Sequence, residues 1–153
     1  MKGAPSDRMH RMRCALAATE LVSALLVSGC EGSGKRETTA LLDAVDRYRL
    51  ANTAAKADRA AAVGRLDCTE AAVCEAKRAC VAGVEATTRA MQLKDEVTAR
   101  LADLEQHRLL PDAPEAEALP GKLDEAGRLL QVGRDKMGDC ERMIAELRLH
   151  YGS

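Results

Sequence analysis

Aromatic residues are nearly missing: the 153-residue chain has no Trp, no Phe and two Tyr. That scarcity excludes a β-sandwich or barrel, whose strands draw on aromatic and β-branched side chains. It also removes the platforms on which proteins stack bases and sugars. An excess of one charge is missing too. Lys+Arg number 23 against 24 Asp+Glu, a formal net charge of −1, so there is no bulk attraction for nucleic acid. No stretch alternates apolar and polar residues over strand length, and proline is confined to Pro5, Pro111, Pro114 and Pro120. What remains is rich in Ala, Leu, Arg and Glu, all helix formers. At 46% hydrophobic the chain is too apolar for a disordered polymer. The expected fold is all-α.

Residues 1–29 read as an export signal. Lys2, Arg8, Arg11 and Arg13 form a basic start. An apolar run from about Cys14 to Val27 follows, shorter than the ~20 residues of a membrane span and interrupted by Glu20. It ends in Val27-Ser28-Gly29-Cys30. This box resembles that of bacterial lipoprotein precursors: an aliphatic residue, a small one, Gly or Ala, then Cys. The resemblance implies cleavage before Cys30, a diacylglycerol on its sulfur and acylation, as by palmitate, of its new amino group. It also implies, from Glu31 rather than Asp at the next position, the outer membrane, facing the periplasm. Glu31-Gly32-Ser33-Gly34-Lys35 has the composition of a linker, so residues 30–36 are expected to be the lipidated Cys and a flexible tether. The leader holds four basic and two acidic residues. The remaining 124 residues therefore carry 19 basic against 22 acidic, net −3.

A phosphate-binding motif overlaps this site. Gly29 to Gly34-Lys35 matches G-x-x-x-x-G-K, but Arg36 stands where a Ser or Thr would hold Mg²⁺. No parallel strands follow, and cleavage before Cys30 would split the motif. No nucleotide is expected.

The domain at 37–153 is expected to hold three long helices. The first runs from about Glu37 to Leu66, with Leu41, Val45, Tyr48, Ala51, Ala55, Ala62 and Leu66 on one face. A second runs from about Thr69 to Leu109, with Ala76, Ala79, Gly83, Ala86, Ala90, Leu93, Val97, Leu101 and Leu104 as its stripe. The third runs from about Gly121 to Leu149. Its seam is a heptad: Leu119, Leu123, Ala126, Leu130, Gly133, Met137, Cys140, Ile144, Leu147, Tyr151. Short connections at 64–68 and at Pro111, Pro114 and Pro120 predict an antiparallel up-down-up bundle or coiled-coil hairpin. Its small seam residues bury little area, at ~25 cal/mol/Å², so it needs staples.

Cysteines supply candidates. With Cys14 lost and Cys30 acylated, Cys68, Cys74, Cys80 and Cys140 remain, an even count in an exported chain. A six-residue step along a helix rises ~9 Å, beyond the ~6.8 Å a disulfide allows between Cα atoms. Cys74 and Cys80 therefore cannot pair, and Cys68 and Cys80, twelve apart, are farther still. Cys68–Cys74 and Cys80–Cys140 remain. The first needs Cys68 outside the helix. Thr69 as N-cap allows that; Asp67 as N-cap, with Glu70 completing a capping box, would put Cys68 inside. The sequence leaves the choice open. Zinc sites favour closer pairs such as C-x-x-C, and the C-x-x-C-H of haem attachment is absent. No metal or other cofactor is expected.

Nothing converges on catalysis. His107 and His150 stand near helix ends. Asp95-Glu96, Glu115-Glu117 and Asp124-Glu125 interleave with Lys and Arg as solvated faces do. The expected function is non-enzymatic: a module anchored to the lipid bilayer through Cys30, structural or binding an unidentified envelope protein. The alternative is a periplasmic carrier of a small ligand or lipid, with a cavity between its helices. A single first helix would carry the chain ~45 Å from the membrane, placing residue 68 far out. The turn at 109–120 would then return to the bilayer. That geometry makes Leu109, Leu110 and Leu119 candidate contact residues.

Overall fold

A computed structural model describes residues 32–152. The export signal and Cys30 lie outside the described residues. The described chain is all-helical, without a strand. Helix α1 covers residues 32–50. Then come α2 (Thr53–Gly64), α3 (Ala71–Glu105), a single turn α4 (Pro114–Glu117) and α5 (Leu119–Tyr151).

The first departure from the sequence expectation is at residues 51–52. The helix expected over 37–66 is broken there, and the chain doubles back. Asn52 adopts an extended conformation, φ −68° and ψ 168°. Its side-chain oxygen accepts a hydrogen bond from the Ala55 amide at 3.0 Å, capping the new helix N-terminus. Lys56 closes the end of α1 from the other side. Its Nζ donates to the carbonyls of Tyr48 at 2.6 Å and Arg49 at 3.1 Å and stands 4.3 Å from the centre of the Tyr48 ring. Partial burial pushes the Lys56 ammonium below its ordinary pKa. The break resets the helical phase. Beyond it Ala60 and Val63 are buried, whereas Ala62 and Leu66 of the expected stripe are half-buried.

Contacts along the helices give their directions. Cys80 joins Cys140, Gly83 faces Met137, Gly133 faces Thr87, and Lys122 pairs with Glu96. Rising numbers on α3 meet falling numbers on α5, so the two are antiparallel. Ser33 bonds Glu70, while Tyr48 donates to the Val84 carbonyl at 3.2 Å and shares a hydrogen bond with Thr88 at 3.2 Å. Hence α1 runs parallel to α3, and helix α2 carries the chain back between them. The expected single crossing from residue 37 to 66 is replaced by an out-and-back pair. Helix α1 rises about 28 Å and α3, with 35 residues, about 52 Å. The pair α1/α2 therefore covers only the lower part of α3/α5, here called the base.

The main core lies there: Leu41, Val45 and Tyr48 of α1, Val63 of α2, Val73, Ala76, Cys80 and Val84 of α3, and Cys140, Ile144 and Leu147 of α5. A second, small cluster of Ala90, Leu93 and Ala126 sits farther up. Above it α3 and α5, with α4 at their end, still bury Val97 and Leu119, while Leu101 and Leu123 of the expected seams stay about half exposed.

The tip departs in detail. Helix α3 ends at Glu105, not Leu109, because His107 takes a left-handed conformation with φ 56°. The Arg108 amide then bonds the Asp103 carbonyl at 2.8 Å and the His107 amide that of Leu104, the two hydrogen bonds of a Schellman turn. Pro114 opens α4. Pro120 cannot donate an amide to continue that turn, and α5 starts afresh at Leu119.

Two glycines set the α3–α5 spacing. A Cβ on Gly83 would stand 2.9 Å from the Met137 backbone nitrogen, and one on Gly133 would stand 2.3 Å from Thr87 Oγ1. Gly138, on the same helix as Gly133, faces open space. Gly83→Ala is expected to lower stability by up to about 2 kcal/mol, since overpacking at ~1–3 is only partly offset by the ~1 gained in helix propensity. Gly138→Ala should instead raise it by up to about 1 kcal/mol. Urea denaturation of the two variants distinguishes the effects.

Candidate functional site

Three chain ends meet at the base: the start of α1, the approach to α3 and the end of α5. Residues 32–36, expected as a flexible tether, are helical. Ser33 Oγ donates to Glu70 Oε1 at 3.1 Å. Lys35 Nζ donates to the Gly152 carbonyl at 3.0 Å. Gly34 is buried under Tyr151, where a Cβ would meet the ring at 2.4 Å. The composition that reads as a linker is here the absence of side chain that admits an aromatic ring. Contacts from two other helices override the local signal.

Glu37 ties α1 to the approach to α3. Its carboxylate accepts from the Thr69 hydroxyl at 2.6 Å, the Thr69 amide at 3.0 Å and the Glu70 amide at 3.2 Å. The Thr69 hydroxyl, opposed by desolvation and aided by the two amides and Arg36, holds the Glu37 carboxyl below its ordinary pKa. The Tyr151 phenol is pushed up by desolvation and by the Glu70 and Glu37 charges.

The cap question left by the sequence has an outcome in neither proposed residue. Helix α3 begins at Ala71 with Glu70 as N-cap and no side-chain cap bond. Cys68 therefore lies outside the helix. Cys68 and Cys74 are joined with their Cα atoms 5.4 Å apart, and Cys80 and Cys140 with theirs 4.7 Å apart. The second bond is buried in the core; the first closes the corner between α2 and α3.

This geometry moves the expected contact residues. Since residues 33 and 37 touch residues 69 and 70, the cysteine corner is beside the start of α1, not ~45 Å from it. The 109–120 turn is at the opposite end. Leu109, Leu110 and Leu119 do not form one patch: Leu119 is buried at 5% exposure, Leu109 is half-buried, and Leu110 is 67% exposed.

Nor do the histidines meet. His107 is at the tip, and His150 packs edge-on against Tyr151 at the base, ring centres 4.6 Å apart. Among the described residues no group of three or more His, Cys, Asp or Glu could hold a metal ion. A groove of about 600 Å³ runs beside the Cys68–Cys74 corner, past Lys77, Arg78, Val81 and Glu85. None of its lining residues is buried, so it is a surface feature rather than a cavity between helices. No described helix is long and apolar enough to cross a membrane. Comparison with known protein families, curated proteins and solved structures gives no match.

Asn52, Glu37, Ser33 and Gly34 are absent from the sequence-derived sites. Asn52 directly ahead of Thr53-Ala54-Ala55 is an N-cap signal that could have located the break. Glu37 had none, because its partners are 32 and 33 residues away.

Two outcomes follow. By the loop-closure model, removing Cys80–Cys140 (separation 60) with Cys80→Ala and Cys140→Ala should cost ~4 kcal/mol. Removing Cys68–Cys74 (separation 6) should cost ~2. Chemical denaturation of the two double variants gives the comparison. The lowered pKa of Glu37 contributes stability above its unfolded-state pKa, and that contribution is lost as pH falls through its lower folded-state value. Wild type should be more stable than Glu37→Gln at neutral pH, and the gap should close as pH falls below the ordinary carboxylate range. Denaturation curves across that range would show no closing gap if Glu37 merely packed.

Proposed function

We propose that this chain is a bacterial lipoprotein precursor whose mature domain is a disulfide-stapled structural or protein-interaction module, anchored through acylated Cys30 and without catalytic activity. The observation that carries the reading is the Val27-Ser28-Gly29-Cys30 box, placed directly ahead of a helical domain holding two disulfides. Disulfides of this kind persist in oxidising compartments such as the periplasm. One acyl chain binds a bilayer only marginally, while two or three hold firmly. Glu31 directs the anchored protein to the outer membrane, facing the periplasm. We read the domain as an antiparallel bundle at its base that narrows to the α3/α5 hairpin, a rod that displays its tip to another envelope protein. Close approach of α3 and α5 at Gly83 and Gly133 speaks for this rod over a carrier with an internal cavity.

Mass spectrometry of protein purified from membranes tests the anchor. The expected species begins at Cys30 and carries diacylglycerol and an N-acyl chain. Cys30→Ser should leave an uncleaved, unacylated chain. Wild-type protein beginning at Met1 without lipid would overturn the proposal.

A further inference from the structure

We propose that the base of the domain rests on the bilayer that holds its own acyl chains, with Leu149 at the lipid interface and α3 and α5 standing off it. The inference rests on acylation of Cys30 as proposed above, and adds an orientation and a contact residue.

Chain length carries the argument. Gly32 is already in α1, and two residues span at most ~7 Å. Acyl chains on Cys30 therefore hold the start of α1 next to the membrane. That start is fixed to the ends of α3 and α5 through Ser33–Glu70, Lys35–Gly152 and the Gly34–Tyr151 contact. The anchor thus positions the whole base, not a loose arm. Leu149, in the last turn of α5 at this same end, is 87% exposed.

Charge does not supply the contact. At the helix ends that meet there, the cations Lys35, Arg36, Arg65 and Arg148 are opposed by the carboxylates Glu37, Asp67 and Glu70, so attraction to anionic headgroups is nearly cancelled. The apolar side chain and the tether decide the docking. On the flanks Leu101, Leu123 and Val132 are about half exposed and lie among paired charges. These pairs include Arg47–Asp43, Arg142–Asp139 and Lys122–Glu96, which favours water over lipid.

Three exposed leucines sit at three heights. Leu149 is at the base. Leu50, 88% exposed, lies at the end of α1, about 28 Å up, and Leu110, 67% exposed, is at the tip, about 50 Å up. The chain has no Trp, so Leu149→Trp, Leu50→Trp and Leu110→Trp each introduce a single emitter at a solvent-facing site. The mature acylated proteins would be reconstituted in phosphatidylethanolamine–phosphatidylglycerol vesicles with brominated acyl chains. Circular dichroism checks the helices, and flotation and mass spectrometry check the anchor. Emission from Leu149→Trp should shift to the blue and fall by roughly half relative to unbrominated vesicles, as for a side chain at the headgroup–acyl boundary. Emission from Leu50→Trp and Leu110→Trp should not change. Quenching at all three positions would mean the domain lies flat and would overturn the proposal. So would an unquenched Leu149→Trp in protein that is acylated and floats, including one shifted by a protein neighbour. A chain without acyl groups on Cys30 would overturn both this orientation and the anchoring beneath it.

Discussion

The seam between α3 and α5 fixes every other contact in the domain. Gly83 and Gly133 let the two backbones approach until a single added methyl would collide, and the buried Cys80–Cys140 bond holds that approach from below. Close backbones bring Val84 of α3 and Ile144 and Leu147 of α5 into one continuous surface. On that surface Leu41, Val45 and Tyr48 of α1 are buried. Tyr48 then reaches the Val84 carbonyl and the Thr88 hydroxyl, which sets the height of α1 against α3. A wider seam would break that surface. The small residues that permit the approach also bury little area, at about 25 cal/mol/Å², so a covalent link contributes a large share of the stability of such a core.

Stability is unevenly spread as a result. Four helical segments and both disulfides are at the base, while the upper hairpin has one small cluster and surface ion pairs such as Lys122–Glu96. Ion pairs of that exposure contribute little, because water and salt screen them. Local opening follows the density of buried contacts, so the tip opens before the base. The Schellman turn at His107, with Arg108 bonded to Asp103 at 2.6 Å and 3.0 Å, closes α3 where packing is weakest.

Periodicity made the all-helical fold legible, and for α5 the heptad located Ala126, Gly133, Cys140, Ile144 and Leu147, all buried. Helix rise alone led to the cysteine pairs found in the structure. The break at Asn52 was hidden because Ala51, Ala55 and Ala62 fit a helical stripe as well as they fit a turn and a new helix. Alanine is apolar enough to sit in a core and small enough to sit outside one. The base was hidden for a different reason. Gly32, Ser33 and Gly34 favour a flexible chain taken alone, and only Tyr151, Glu70 and Gly152, distant in sequence, convert them to helix. Leu119 stands on the heptad seam and is buried as that seam predicts, not as a contact residue, while Leu110, off the seam, stays in solvent.

The unequal spacing of the two disulfides bears on how the chain reaches its native pairing. A polypeptide emerging from its N-terminal side presents Cys68, Cys74 and Cys80 long before Cys140. Cys80 then has two wrong partners within reach and its right one not yet available. The span from 68 to 74 is 6 residues, against 60 from 80 to 140, and shorter loops close at lower entropic cost; Cys74 and Cys80 are spaced alike, but once α3 is helical they stand ~9 Å apart along it, too far to bond. Early closure of the small ring removes both wrong partners at once. Cys80 is left as the single thiol that Cys140 meets when the last helix arrives. The corner bond, which holds little of the core, thereby acts as a placeholder that keeps the core bond correct.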